Sequence, residues 1–465
     1  MTTDPALLDL RTLVRSVHTR TLSPTEIADT TLRRIARLEP ELNAFIRRSD
    51  TVRDEARRVE RILGRRTART RDPLPLAGVP ISIKDLILTR NAPTTAGSRT
   101  FGEGLTSTHD APVVARLRRA GAVIVGKTNL HEIAMGVTTV NEHFGASRNP
   151  WDRTRIAGGS SGGSAVAVAA RMGAASIGTD TRGSIRIPAS CCGITGLKPT
   201  RGLVPTADVI PLSWTLDHVG PMTRTVEDAA LLLGVLAGST QRARRWLAAV
   251  DAPVRSLRVG LSPYYFTDVD AEIERAVREA IAVIERLAGP ARPVAIEGLG
   301  EAQPASAVIT GAEAIAYHDA RLRANPEGFG PLVRQRLARG AELTAMALVQ
   351  AERARAALGE GFARAFREVD VLVAPTVAAL PHRIGEHAVR INGREANTLD
   401  AFTRLNSPQS MAGLPALSIP CGFSASGLPI GMQLIAAHGR DDVVLALGAA
   451  YQRETDWHLR RPPID

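Results

Sequence analysis

Lysine is nearly absent from this chain. Lys84, Lys127 and Lys198 are its only lysines, among 58 lysines and arginines in 465 residues. Arginine fills ordinary surface roles but stays protonated near neutral pH. A position that keeps lysine in such a chain is therefore a candidate for a role that requires loss of a proton.

Lys84 is the candidate for a catalytic base. It ends the apolar run GVPISIK at 78–84, which predicts a buried strand with Lys84 at its end. Burial of an ammonium group lowers its pKa, so part of Lys84 would be neutral. The alternatives are a chance survivor or an ammonium group bonded to backbone carbonyls, and the structural role is our prediction for Lys127 and Lys198.

Cysteines and aromatic residues are also scarce. Cys191, Cys192 and Cys421 show no CxxC spacing and no disulfide framework, so the sequence favours neither a metal site nor a crosslinked fold. Aromatic residues make up 4% of the chain, so few side chains are available to stack on nucleic acid bases. We expect no metal, and nucleic acid binding is disfavoured.

No hydrophobic run approaches the length of a membrane span. The N-terminus lacks a basic segment followed by an apolar one, so we expect no secretory signal and a cytoplasmic location. The hydrophobic and charged fractions, 44% and 23%, are typical of an ordinary globular protein.

The net charge of +11 is partly concentrated in one segment, 53–71. Acidic residues are interleaved there, which favours the solvated face of a helix and the loop after it. Nucleic acid binding remains a minor alternative for this segment. Its arginines are Arg53, Arg57, Arg58, Arg61, Arg65, Arg66, Arg69 and Arg71.

Alternating helix and strand patterns predict an α/β protein. Ser23-Pro24-Thr25-Glu26 is a capping box that opens an N-terminal helix. The periodicity predicts helices at 110–121, about 342–369 and near 441–453, strands at 122–127, 371–375, 416–420 and 430–436, and a β–α–β unit at 256–296. No linker or repeat interrupts this pattern, so we expect one continuous domain.

The segment 158–164, GGSSGGS, precedes a run of small apolar residues, AVAVAA. That run predicts a buried helix, which disfavours a flexible linker. No GxxxxGK[ST] or GxGxxG motif is present, so nucleotide binding has weak support. A nucleophile elbow would need a strand just upstream, but 149–157 is polar and contains a proline, and no histidine lies in a convincing triad motif.

A second serine-bearing loop, GTDTRGS at 178–184, follows the apolar run AASI. Its turn-forming residues surround Ser184 and would expose several backbone N–H groups. Such a cluster of donors suits the oxyanion of a tetrahedral intermediate.

These loops occur with GVPISIKD, GKTNLHE, GLKPT, LDHVGPMTRTVEDAALLL and NSPQSMAGLPALSIPCGFSASGLPIGMQLI, and the ordered set resembles the amidase signature family. The resemblance implies a single large α/β domain with a central mixed, mostly parallel, twisted β-sheet covered by helices on both faces. Within it we expect an N-terminal helical region at about 1–75, a catalytic core at about 76–235, a variable substrate-side region at about 240–370 and a C-terminal part of the core at about 371–465.

The resemblance also implies a Ser–cis-Ser–Lys triad and an acyl-enzyme intermediate. Ser184 would be the nucleophile, Ser160 the bridging residue preceded by a cis peptide bond, and Lys84 the base. The implied chemistry needs no metal and no organic cofactor.

The expected oxyanion hole consists of the backbone N–H groups of Thr181, Arg182, Gly183 and Ser184. Met135 and Gly136 are expected to line the acyl pocket, although helix packing would explain Met135 equally well.

Arg182 stands where the family motif has glycine. If this position required a positive φ, arginine would cost roughly 1 kcal/mol or more. Its side chain is a candidate to bind a substrate carboxylate, for which its planar fork is suited. The alternative is a side chain that points outward, leaving only the N–H in the site.

Two functions follow from the resemblance. The first is a stand-alone amidase that hydrolyses a small carboxylic amide or urea-like compound to the acid and ammonia or an amine, and we expect a homodimer. The second is a glutaminase-type A subunit of a tRNA-dependent amidotransferase, which would require partner subunits. The segment 334–355 favours the first, and the complete triad disfavours a non-catalytic scaffold.

Overall fold

The computed structural model describes residues 4–65, 74–90 and 92–464. Its helices and strands alternate along most of the chain, as the sequence predicts. The helices are α1 (Leu10–His18), α2 (Pro24–Leu42), α3 (Val52–Gly64), α4 (Pro112–Arg119), α5 (Gly162–Ala169), α6 (Arg186–Cys192), α7 (Val226–Ala237), α8 (Thr240–Val250), α9 (Ala271–Ala288), α10 (Leu299–Ala324), α11 (Pro331–Ala341), α12 (Ala345–Glu368), α13 (Thr398–Thr403), α14 (Ser407–Met411) and α15 (Asp441–Glu454).

The strands are β1 (Phe45–Arg48), β2 (Pro80–Lys84), β3 (Val123–Thr128), β4 (Val140–Asn141), β5 (Gly145–Ala146), β6 (Arg148–Asn149), β7 (Asp152–Ile156), β8 (Ala175–Asp180), β9 (Thr195–Lys198), β10 (His218–Thr223), β11 (Val259–Leu261), β12 (Arg292–Pro293), β13 (Val371–Pro375), β14 (Ala388–Ile391), β15 (Arg394–Asn397), β16 (Ala416–Phe423) and β17 (Pro429–Ala436). Eleven of them form one sheet in the order β1-β3-β2-β8-β10-β9-β16-β17-β13-β11-β12.

The sheet is mixed, as expected, but the expectation that it is mostly parallel is wrong. Four pairings of this sheet are parallel: β2 pairs with β3 and with β8, and β11 pairs with β12 and with β13. The other six pairings of this sheet are antiparallel. The sequence motifs do not indicate strand direction. Strand direction depends on how the connections between distant segments cross the sheet.

Helices cover both faces of the sheet. Along β3, Val123 and Val125 pack into one buried cluster with residues of α2 and α5, while Ile124 packs into a second cluster with residues of α4 and α7. This alternation follows from the two-residue period of a strand. Strands that are buried on both faces are continuous apolar runs, which is why 78–84 and 122–127 could be recognised from the sequence.

Most of the predicted elements are confirmed. The capping box opens α2, with Glu26 N–H donating to Ser23 Oγ at 3.1 Å and Ser23 N–H donating to Glu26 Oε2 at 2.7 Å. The β–α–β unit is present as β11, α9 and β12, and the closing helix is α15.

One expectation about local structure is wrong, and another needs an addition. The described part of the N-terminal region is mostly helical, but it also contains a strand, β1, which pairs with β3 at the edge of the main sheet. The segment 149–157 contains β7, which forms a small hairpin with β6 outside the main sheet. Both strands are stabilised by partners that propensity alone does not reveal.

The arginine-rich segment is a helix with a solvated face, as predicted, over the part that the structure describes. Val52, Ala56 and Val59 of α3 are buried, while its arginines are exposed. Arg66, Arg69 and Arg71 lie outside the described residues. No helix in the described ranges combines the length and apolar character needed to cross a membrane.

Candidate active site

Lys84 ends β2 in the interior of the molecule, as predicted. Its side chain is fully buried, and Nζ donates to Ser160 Oγ and to Thr179 Oγ1, each at 2.7 Å. Thr179 lies on β8, the neighbouring parallel strand, so the sheet itself holds this partner beside Lys84. Sequence reasoning missed Thr179, although it lies inside the motif that contains Ser184.

Burial lowers the pKa of Lys84 to about 7, because a desolvated ammonium group is unfavourable. Asp217 and Asp180 oppose this shift through their negative charges. A substantial fraction of Lys84 is therefore neutral at physiological pH, as a general base requires.

Ser160 lies in the glycine–serine loop immediately before α5 and follows a cis peptide bond after Gly159. The start of α5, directly after this loop, is packed closely against the rest of the core: a Cβ on Gly163 would lie 2.4 Å from the carbonyl oxygens of Ala44 and Asn129. The glycines therefore permit close approach, and the segment is not a linker.

Ser184 lies between β8 and α6, on the loop next to Ser160. Ser161 N–H donates to the carbonyl of Ser184 at 3.1 Å, which ties the two serine-bearing loops together. In the described structure the Ser161 side chain bonds to the backbone of Thr179, so it does not support Lys84 directly. Ser184 also borders a cavity.

Asp180 organises the loop that carries Ser184. Its carboxylate accepts hydrogen bonds from Gly183 N–H at 2.6 Å and Ile185 N–H at 3.2 Å. The fully buried Arg186 donates Nε–H to Asp180 Oδ2 at 2.9 Å and Nη2–H to Oδ1 at 3.0 Å. Burial alone would raise the pKa of Asp180, but Arg186 holds it below its ordinary value.

One of the four expected oxyanion donors, the N–H of Gly183, is engaged by a neighbouring carboxylate. The acceptor is Asp180, and the φ of 117° at Gly183 matches the freedom of glycine. Among the described residues, the N–H groups of Thr181, Arg182 and Ser184 have no acceptor, so these three remain as donors.

Asp217 is a buried carboxylate that sequence reasoning did not single out, although it lies in the motif LDHVGPMT. It accepts from Thr181 Oγ1 at 2.5 Å and from the N–H groups of Leu212 and Ser213. Burial raises its pKa to about 6. Asp217 thus positions the first residue after β8 and contributes negative charge near Lys84.

A cavity of about 300 Å³ opens beside Ser184. Met135, Gly136 and Arg182 all line it, together with residues of α10 and α11. Gly136 is required by the ring of His131, because a Cβ at that position would lie 2.1 Å from the ring. The structure therefore brings the expected acyl-pocket residues to one space, and it adds α11, which sequence reasoning did not identify.

Arg182 does not have the strained backbone that the motif departure suggested. Arg182 is not among the described non-glycine residues with a positive φ, whereas the next residue, Gly183, has a positive φ. Arg182 is among the residues that line the cavity, and its guanidinium group lies close enough to that of Arg336, another lining residue, for the charge of Arg336 to lower its pKa. These observations favour the inward orientation of the Arg182 side chain.

The other two lysines have structural contacts, as predicted. Lys127 Nζ donates to the carbonyl of Ile87 at 2.8 Å and forms an ion pair with Asp85 at 3.0 Å. Lys198 Nζ donates to the carbonyls of Leu414 and Pro199. Burial lowers the pKa of both lysines, but neither contacts Ser160 or Ser184 in the described structure.

The cysteines are buried and free, and Cys191 and Cys192 lie on α6. Burial raises the pKa of all three thiols, which disfavours a reactive thiolate. Within residues 4–65, 74–90 and 92–464, no group of three or more histidine, cysteine or carboxylate side chains is placed to hold a metal ion.

Residues 26–445 match the model of the amidase family. The chain is 38% identical over 475 residues to the A subunit of glutamyl-tRNA(Gln) amidotransferase from Roseiflexus sp. (strain RS-1), and the match covers 95% of each chain. A solved amidase structure aligns with a TM-score of 0.87 at 35% identity, covering 96% of this chain and all of the other. The 6-aminohexanoate cyclic dimer hydrolase in complex with its substrate aligns with a TM-score of 0.86 at 29% identity over 99% of both chains.

Proposed function

Because this chain belongs to the amidase family and is therefore a hydrolase of C–N bonds, we propose that it hydrolyses a small amide through Ser184, Ser160 and Lys84. The observation that carries the proposal is the buried contact of 2.7 Å between Lys84 Nζ and Ser160 Oγ, beside the loop of Ser184. A lysine with a pKa near 7 can accept a proton that a surface lysine could not.

In the proposed acylation, neutral Lys84 takes the proton of Ser160, and Ser160 takes that of Ser184. The Ser184 oxygen forms a bond to the amide carbonyl carbon, giving a tetrahedral oxyanion. Its charge is stabilised by the N–H groups of Thr181, Arg182 and Ser184, and one such donor is worth on the order of 3 kcal/mol. The C–N bond then breaks as the proton returns through Ser160 to the leaving nitrogen.

Deacylation repeats these steps with water. Water loses its proton along the same route and attacks the ester carbonyl carbon of the acyl-enzyme. The bond to Ser184 breaks, Ser184 recovers its proton, and the carboxylic acid leaves. The net reaction adds one water to one amide and releases the acid and ammonia or an amine.

Ammonia release by the purified chain tests the proposal. Ser184→Ala removes the nucleophile, and Lys84→Arg keeps a cation that cannot lose its proton, so each should lower kcat/KM by roughly 10⁴-fold or more. Ser164→Ala is a matched control, because this buried serine in the first turn of α5 bonds to Thr128 Oγ1 rather than to the triad. Full activity in either of the first two variants would contradict the mechanism.

The relatives named as amidotransferase A subunits support a second candidate, a glutaminase component that acts within a complex. Ammonia release from simple amides by the isolated chain would favour the stand-alone amidase. Release from glutamine only after addition of amidotransferase partner subunits would favour the second candidate.

A further inference from the structure

The charged residues that line the cavity beside Ser184 are all cationic. They are Arg182, Arg336 and Arg339, and no aspartate or glutamate of the described chain lines the same space. Arg182 comes from the serine loop, whereas Arg336 and Arg339 lie one turn apart on α11. Two separate elements thus direct positive charge into one cavity.

Arg182 has no internal partner in the described part of the chain: its side chain makes neither a hydrogen bond nor an ion pair there, although it is partly buried. Arg186, which begins the helix after this loop, is paired with Asp180. Asp400 contributes some negative charge near Arg182, but Asp400 is exposed and accepts from Gln303 Nε2 at 2.7 Å. Asp180 therefore neutralises Arg186, whereas Arg182, at the cavity, has no carboxylate bound to it within the described residues.

The two arginines of α11 also keep donors available. Arg336 donates Nη1–H to the carbonyl of Met135, which holds its side chain at the cavity wall. Arg339 has no hydrogen bond or ion pair from its side chain in the described structure, and it is exposed. Burial and the charge of Arg336 lower the pKa of Arg182 to about 10, so Arg182 remains a cation at neutral pH.

Like charges that converge on a partly desolvated space are unfavourable until an anion neutralises them. A guanidinium group binds a carboxylate through two parallel hydrogen bonds. A ligand ammonium group would instead meet only positive charge here, because no carboxylate of the described residues lines the cavity.

Resting on the proposed amidase function, we infer that the substrate is an amide whose acyl chain carries a carboxylate and no cationic group, held by Arg182 with Arg336 and Arg339. The monoamide of a dicarboxylic acid is the simplest member of this class. Glutamine, which carries an α-ammonium group, is outside it.

Three matched amides test the inference. Glutaramate carries the carboxylate, pentanamide replaces it with a methyl group, and glutamine adds an ammonium group to glutaramate. We expect kcat/KM for glutaramate to exceed those of both other compounds by roughly 10- to 100-fold, the value of a charge-assisted hydrogen bond. Succinamate and butanamide repeat the comparison with a shorter chain. The inference would be overturned if glutaramate reacted no faster than pentanamide and succinamate no faster than butanamide. A preference for glutamine over glutaramate would also overturn it.

Charge-removing variants locate the site. Arg182→Met and Arg339→Met should lower the preference for the anionic amide roughly tenfold, mainly through KM, and Arg182→Lys should restore part of it. Arg334→Met is the matched control on α11, because Arg334 pairs with Glu327 and does not line the cavity. An unchanged preference in Arg182→Met would overturn the assignment of Arg182.

A binding measurement tests this inference independently of the proposed reaction. Absence of hydrolysis with every amide would count against the proposed function alone. Calorimetry with the Ser184→Ala variant then decides the inference without turnover: glutaramate should bind roughly tenfold or more tightly than pentanamide. Equal binding of the two compounds would overturn it.

Discussion

Lys84 differs from the arginines of this chain in being able to lose its proton once it is buried. Burial lowers its pKa to about 7, and the charge of Asp217 keeps the value from falling further. The same depth of burial would leave an arginine charged. The rarity of lysine therefore has a chemical explanation at this position, whereas Lys127 and Lys198 are explained by their carbonyl and carboxylate partners.

The pH dependence of the reaction should report this pKa. The proposed base is active when neutral, so kcat/KM on a neutral amide should rise with pH through about 7 and level off above it. A pH profile of initial rates checks this. An acidic limb placed near pH 10 would show that Lys84 is not desolvated in solution.

Asp217 should set the pH at which this rise in kcat/KM, the acidic limb of the pH profile, occurs. Its negative charge raises the pKa of Lys84, so Asp217→Asn should move the limb to lower pH. Asp228→Asn is the control, because this buried carboxylate binds the N–H groups of Leu10 and Arg11, away from the triad. A limb that moves in both variants, or in neither, would contradict the coupling.

At the scale of elements, the junction of β8 and α6 depends on one buried ion pair. Asp180 ends the strand, Arg186 begins the helix, and the loop between them carries Ser184. Arg186 also donates to Ser410 Oγ and to the side chain of Gln433, so the junction is attached to α14 and β17. The position of the serine loop is thus decided by elements that are distant in sequence.

Arg186→Gln should therefore reduce both stability and activity. It leaves Asp180 as an unpaired buried charge, which costs about 3–5 kcal/mol. Arg258→Gln, which breaks the exposed ion pair with Asp370, should change stability far less. Thermal unfolding of both variants and ammonia release by the folded fraction measure the difference. Equal shifts in melting temperature would show that the buried pair does not hold the loop.

At the scale of the whole molecule, the eleven-stranded sheet connects both ends of the described chain to its centre. The first helix, α1, is attached to α7 through Asp228, and the last helix, α15, packs on α7, α8 and the strands β16 and β17. Because a single large sheet and the helices packed on it join these distant segments, we expect no boundary at which one described part could unfold alone.

Unfolding should accordingly be a single cooperative event. Helix content measured by circular dichroism and tryptophan fluorescence should give coincident transitions. The tryptophans include Trp151, which donates Nε1–H to the carbonyl of Cys192 at 2.9 Å, and Trp246 on α8. Two transitions separated in temperature or in denaturant concentration would contradict the single-domain architecture.

The sequence by itself determined the features that depend on neighbouring residues. The capping box of α2, the buried strand that ends at Lys84 and the two serine-bearing loops could all be located from local pattern and motif. These features follow from backbone propensity, periodicity and residue chemistry, which act over a few residues.

Only the tertiary structure decided which distant groups meet. It placed Thr179 on Lys84, engaged Gly183 N–H with Asp180, and brought Arg336 of α11 to the cavity of Arg182. It also added β1 to the edge of the sheet and made most of the strand pairings antiparallel. Such contacts depend on how segments far apart in the chain pack together, and the free energy of that packing exceeds the local preferences that a sequence pattern records.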